Sequence, residues 1–173
     1  MNRKIIFSLL VAVIGFTGAA VAQKGKPIYG GNVIIGVPTG DFRNDYRGVT
    51  GIEGFAGFGV AQNVYLTGTL GFQSYAPDPN SFDGVYYGKI TSIPLKAGVR
   101  IYPTNHFFLT ANAGLGLLRD ETIDARESRF AYDIGAGFRF SIFHASVHYD
   151  GWQTKNTSGG SNSVVAKLGI AIR

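Results

Sequence analysis

The chain has 173 residues, enough for one domain, and with 16% charged residues, 13% aromatics and 25 glycines it suits β-structure better than a helical bundle. Its formal charge of +5 falls to +3 once residues 1–22 are set aside, leaving 14 basic against 11 acidic residues, too mild an excess to argue for nucleic acid. The absence of cysteine excludes a disulfide framework, a Cys-ligated metal and a lipidated N-terminal Cys.

In chain order the first element is a leader. Arg3 and Lys4 precede an apolar run from Ile5 to Phe16, and Ala20-Val21-Ala22 offers a small-x-small cleavage site before Gln23. The run is shorter than the roughly 20 residues a membrane-spanning helix needs, so residues 1–22 read as a secretory signal peptide and 23–173 as the mature domain. Export without disulfides fits a bacterial envelope protein.

From Gln23 onward, eight stretches alternate apolar and polar with period two, near 30–38, 50–60, 63–75, 86–102, 106–118, 129–140, 143–152 and 162–173. Most reach the roughly 9 to 11 residues of a tilted transmembrane strand. The connections alternate too. Those after the second, fourth and sixth stretches are short, at Ala61-Gln62, Pro103-Thr104-Asn105 and Ser141-Ile142, whereas "TGDFRNDYRGV", "APDPNSFDGV", "RDETIDARES" and "QTKNTSGGSN" are long and polar. An up-and-down antiparallel meander places all long loops at one end, and eight strands can close so that no edge is left unpaired. The predicted fold is all-β, an eight-stranded antiparallel up-and-down transmembrane β-barrel.

One phase of every stretch is apolar, from Val33, Ile35 and Val37 to Val164, Leu168, Ile170 and Ile172, with no charged side chain among its members. The other holds Glu53, Thr67, Thr69, Gln73, Lys96, Arg100, Thr110, Asn112, Asp133, Arg139, His148, Asp150 and Lys167, with many glycines between. A soluble barrel of lipocalin type, binding an apolar ligand, would turn the apolar phase inward; an outer-membrane barrel inverts it. Three features favour lipid outside. The polar phase is built from Gly, Thr, Ser and Asn rather than the Lys and Glu of a solvated surface. The apolar phase carries more bulky residues than a small lumen holds. Aromatics also gather at both strand ends, Phe72, Tyr75, Tyr86, Tyr87, Phe130, Tyr132 and Trp152 near the long loops and Tyr102, Phe107, Phe138, Phe140 and Phe143 near the short turns, as two interfacial girdles would.

Charges inside a narrow lumen must pair. Glu53, Lys96, Arg100, Asp133, Arg139, His148, Asp150 and Lys167 are therefore expected to form an interior polar network that plugs the barrel, in preference to an ion pathway. His144, Ser146, His148 and Asp150 share one phase of the seventh stretch, a pattern a hydrolase could use, and weakly resemble the His and Ser two apart on a strand of outer-membrane lipid A deacylases. Their inward phase, with His144 and Ser146 near the short turns, favours a satisfied interior network. "GFAGFG" at 54–59, "GLG" at 114–116 and "GAG" at 135–137 lie within strands with no helix to follow, so they are packing sites rather than phosphate loops. No catalytic, cofactor-binding or metal-ligating residue is assigned.

The leader, the eight-stretch meander, "GVPTGDF" after the first stretch and "IPLKAGVRIYP" before a tight turn resemble the small outer-membrane β-barrel proteins of the OmpA/OmpX-like group, from about residue 28 to the end. Relatives with a peptidoglycan-binding domain continue past the barrel, whereas this sequence stops on the eighth stretch, at Ile172-Arg173 in place of a frequent terminal aromatic. The resemblance implies a non-enzymatic barrel in contact with outer-membrane lipids and assembled by the insertion machinery; the departure from the longer relatives gives no support for wall anchoring, and a monomer with no nucleic-acid partner and no cofactor is expected. Four loops would be displayed for an unidentified partner. Phe42, Arg43, Tyr46 and Arg47 are the candidate loop contacts, aromatics beside cations. The alternatives are the secreted lipocalin-like barrel and a lipid A modifying enzyme.

Overall fold

The computed structural model describes residues 25–79, 88–120, 125–153 and 161–173. Eight strands follow in order: β1 (Pro27–Thr39), β2 (Tyr46–Ala61), β3 (Val64–Pro77), β4 (Ile90–Ile101), β5 (Phe107–Asp120), β6 (Ala125–Phe140), β7 (Phe143–Trp152) and β8 (Ser161–Ile172). One four-residue helix, α1 (Phe42–Asp45), interrupts the first long connection. Each strand pairs antiparallel with the next, and β1 pairs with β8 from Tyr29↔Ile172 to Thr39↔Asn162, which closes the barrel.

The expected meander is the observed one, with shifted boundaries. β2 starts at Tyr46 rather than 50 and β6 at Ala125 rather than 129, because the ladders continue past the apolar alternation into polar residues at the long-loop end. β4 starts at Ile90; residues 86 and 87 of the expected fourth stretch, like the leader 1–22, lie outside the described residues. Two of the short turns use left-handed backbone, at Asn63 (φ 63°) and Ser141 (φ 56°). In the third, the Thr104 hydroxyl accepts a hydrogen bond from the Phe107 amide at 3.0 Å and so fixes the entry to β5.

Eight strands coil tightly, and some inward positions admit no side chain. A Cβ on Gly169 would lie 2.0 Å from the Gly31 carbonyl oxygen, and one on Gly57 would lie 2.0 Å from that of Leu66. The outward phase carries the bulk instead. Val33, Ile52, Leu70, Leu95, Leu115, Ile134, Val147 and Leu168, one from each strand, are all exposed, and Leu95 is 61% so. A surface of this kind suits acyl chains, not water. In the stretch from Phe107 to Leu117, Phe107, Leu109, Leu115 and Leu117 face outward, while Phe108, Thr110, Asn112 and Gly116 are buried.

The interior has three layers. Ile28, Phe55, Tyr65, Tyr102, Phe108 and Ala171 cluster at the short-turn end, and Ile34, Tyr46, Val49, Tyr75, Trp152 and Val165 at the long-loop end. Between them lies a polar layer. The expectation of two outward aromatic girdles therefore holds only in part. Phe72, Phe107, Phe130, Phe138, Phe140 and Phe143 face outward, but Tyr75 (0% exposed), Tyr102 (1%) and Trp152 (6%) are packed inside. Each of the three stands on the inward phase of its strand or just past its end, and sealing the lumen removes more apolar area from water than an interfacial seat would.

Candidate functional site

The polar layer is assembled from inward positions of seven strands. Asp133 of β6 is its centre. Lys96 Nζ of β4 stands 2.5 Å from Asp133 Oδ2, Asn112 Nδ2 of β5 donates to Oδ1 at 2.9 Å, and His148 Nδ1 of β7 lies 3.0 Å from the same Oδ1. Lys167 Nζ of β8 is 3.8 Å from Asp133 and 2.9 Å from Glu53 Oε2 of β2. Asp150 lies 3.4 Å from Lys96 and accepts from Gln73 Nε2 of β3 at 2.9 Å. Tyr75 Oη in turn donates to Gln73 Oε1 at 3.0 Å, which ties the layer to the aromatic cluster above it.

Charge balances within the layer. Glu53, Asp133 and Asp150 meet Lys96 and Lys167, and Arg100 is the third cation, all buried. Pairing of this kind is what allows ions to sit in a low-dielectric interior at all. Arg100 is held differently. Its guanidinium lies between the Phe55 ring at 4.3 Å and the Phe108 ring at 4.6 Å, so ring faces replace a carboxylate. Arg139, expected in the same network, has no carboxylate partner among the described residues; it sits half-buried beside His144 at the short-turn end of β6, too far along the strand to join Asp133. Asn32, which the sequence reading did not name, extends the network to His144. Asn32 Nδ2 donates to Glu53 Oε1 at 3.0 Å, and its Oδ1 accepts from His144 Nε2 at 2.6 Å. Both stand on the inward phase, so their strand positions already carried the signal.

Ser146 Oγ, His148 Nε2, His148 Nδ1 and Asp133 Oδ1 form a serine–histidine–aspartate chain with spacings of 2.9 and 3.0 Å. The carboxylate requires the proton on Nδ1, which leaves Nε2 to accept from the serine hydroxyl. The spacing satisfies nucleophilic chemistry, but the surroundings do not serve it. Asp133 is shared with two lysines, and Ser146, His148 and Asp133 are all buried. A neighbouring internal cavity, lined by Glu53, Thr69, Arg100, Thr110, Asn112 and His148, measures about 10 Å³. That is room for about one water, far below what an acyl substrate needs. Gly135 opposes His148 across the β6–β7 ladder, where a Cβ would meet the ring at 2.5 Å, so glycine is what admits the imidazole.

No protein-family model and no curated protein sequence matches the chain. Solved structures do. The attachment invasion locus protein Ail of Yersinia pestis, crystallised with the heparin analogue sucrose octasulfate, superposes at a TM-score of 0.57 and 14% identity, over 87% of this chain and 100% of Ail. The fold is that of the small outer-membrane barrels. The N-terminal β-barrel domain of Pseudomonas aeruginosa OprF matches at 0.52 and 19% identity, over 86% and 100% of the two chains. A de novo designed transmembrane β-barrel matches at 0.51 and 16%, over 87% and 98%.

On this barrel scaffold the candidate loop contacts divide. Arg43 and Arg47 are exposed, but the expectation of exposed aromatics beside them is corrected: Tyr46 is buried and Phe42 half-buried. Phe42, carried on α1, packs 4.7 Å from Tyr46, 5.5 Å from Tyr75 and, edge-on, 5.4 Å from Trp152, centroid to centroid. Burying two rings over the open end of the lumen outweighs displaying them. Trp152 is the sole tryptophan, so it reports on this lid directly. Phe42→Ala is expected to raise acrylamide quenching of Trp152 severalfold and to lower stability by about 1–2 kcal/mol, less than for a fully buried ring. Unchanged quenching would show that Phe42 does not cover the lumen.

Proposed function

We propose that this protein is an integral outer-membrane β-barrel with a structural or surface-contact role in the bacterial envelope and no catalysis of its own. One observation carries the reading: a bulky apolar surface on all eight strands encloses a buried, charge-balanced interior. In this reading residues 1–22 direct export and are removed, and the monomer is inserted from the periplasm by the assembly machinery. The short turns and both chain ends stay periplasmic, and four loops are displayed outside. The aromatic layers and the ion-paired layer between them act as a plug against solutes. Arg43 and Arg47 are the loop cations a surface partner would meet.

Fractionation of expressing cells, followed by electrophoresis with and without boiling, tests this. Outer-membrane recovery with a heat-dependent mobility shift is expected. A folded, detergent-free monomer in the periplasm would overturn the reading in favour of the lipocalin-like barrel. The absence of catalysis has its own test. A fluorophosphonate probe is expected to leave Ser146 unlabelled in the folded barrel, and Ser146→Ala to leave the lipid A acylation pattern of expressing cells as the wild type leaves it. Loss of an acyl chain that depends on Ser146 would make the protein an enzyme.

A further inference from the structure

Acidic side chains are segregated along the barrel axis. Sequence segments 54–70, 97–113 and 134–147, which contain the three short turns and the strand halves flanking them, hold no Asp or Glu. The ends of β1 and β8 at the same rim, 25–31 and 168–173, hold none either. The cations there are Lys26, Arg100, Arg139 and Arg173. Arg100 is buried between rings, which leaves Lys26 exposed and Arg139 and Arg173 half-buried at the mouth. Lys26 is fixed beside the end of β2, its carbonyl accepting from the Gly59 amide at 3.0 Å. The Arg173 guanidinium lies 4.3 Å from the centre of the Tyr102 ring, across the opening. Arg139 Nε is buried and has no hydrogen-bond partner among the described residues. At the long-loop end, by contrast, Arg43, Arg47, Lys89 and Arg129 are interleaved with Asp41, Asp45, Asp78 and Glu127.

We infer that the short-turn rim is a docking surface for anionic phospholipid headgroups of the leaflet in which it sits. The inference rests on the membrane reading above. A row of cations with no acidic side chain among them, placed where a bilayer-embedded barrel meets headgroups, attracts phosphate and releases it as salt rises. The mixed charges of the opposite rim give no comparable attraction.

The test is lipid selectivity of the full folded chain in vesicles of phosphatidylcholine, measured with spin-labelled phosphatidylglycerol and spin-labelled phosphatidylcholine. The wild type is expected to prefer phosphatidylglycerol by roughly threefold, with the preference lost in molar salt. The Lys26→Gln/Arg139→Gln/Arg173→Gln variant is expected to show a ratio near one while keeping its heat-dependent mobility shift. Arg43→Gln/Arg47→Gln is expected to keep the wild-type preference. Equal selectivity in wild type and triple variant, a preference that depends on Arg43 and Arg47, or abolition of the preference by millimolar inorganic phosphate would each overturn the inference. Failure of the wild type to insert into any vesicle would instead overturn the outer-membrane reading.

Discussion

Replacing Asp133 with leucine is expected to destabilise the barrel by about 3–5 kcal/mol, the cost of stranding buried charge when one partner of a pair is removed. Asp133 faces Lys96 at 2.5 Å, Lys167 at 3.8 Å, His148 at 3.0 Å and Asn112 at 2.9 Å, so a single deletion leaves four groups short of an acceptor. Lys96 retains Asp150 at 3.4 Å and Lys167 retains Glu53 at 2.9 Å, which places the cost toward the lower end of that range. Asp133→Leu/Lys96→Met removes one charge of each sign and is expected to recover much of the loss, because an apolar pair of similar volume is often no worse than a buried ion pair. Urea titration of the folded fraction in vesicles, read from gel mobility without boiling, measures both. A single variant that unfolds at the wild-type midpoint would mean that the layer is hydrated and open, and that the barrel is not plugged.

Much of this arrangement was legible in the sequence because a strand has a period of two. Parity alone sends Glu53, Lys96, Asp133, His148, Asp150 and Lys167 to one face, and a narrow barrel turns a shared face into a shared site. The errors came where a pattern of composition displaced parity. Tyr75 stands on the phase of Gln73, and Tyr102 on that of Arg100, so both were readable as inward; position near a strand end suggested a girdle instead. Tyr46 was masked differently, since a register irregularity between Tyr46 and Gly48 breaks the alternation that would have placed it. What parity cannot supply is which inward residues meet across the lumen. Gln73 with Asp150, and Lys167 with Glu53, are joined by strand tilt and stagger, quantities that belong to the closed barrel and to no single strand.

The direction in which the barrel faces its solvents makes a second large prediction. Ala111 lies midway along β5 on the outward phase, with Val99 and Ile134 as its ladder partners and Leu109 exposed beside it. Ala111→Lys is expected to cost about 2–4 kcal/mol in a bilayer, the depth-dependent penalty for lysine near the midplane. Ser128→Lys is the matched control. Ser128 shares the outward face, pairs with Leu117 toward the long-loop end, and lies in β6 between the charged residues Glu127 and Arg129. There the same substitution should cost about 0–1 kcal/mol, since the ammonium reaches the interface. Urea midpoints of the two variants in vesicles decide between the architectures. On a soluble barrel both positions would face water and both lysines would be nearly neutral, so equal midpoints would reverse inside and outside. A gap of a few kcal/mol between two exposed sites on neighbouring strands has a different origin. It requires a surrounding medium whose polarity changes along the strand axis, and a bilayer is such a medium.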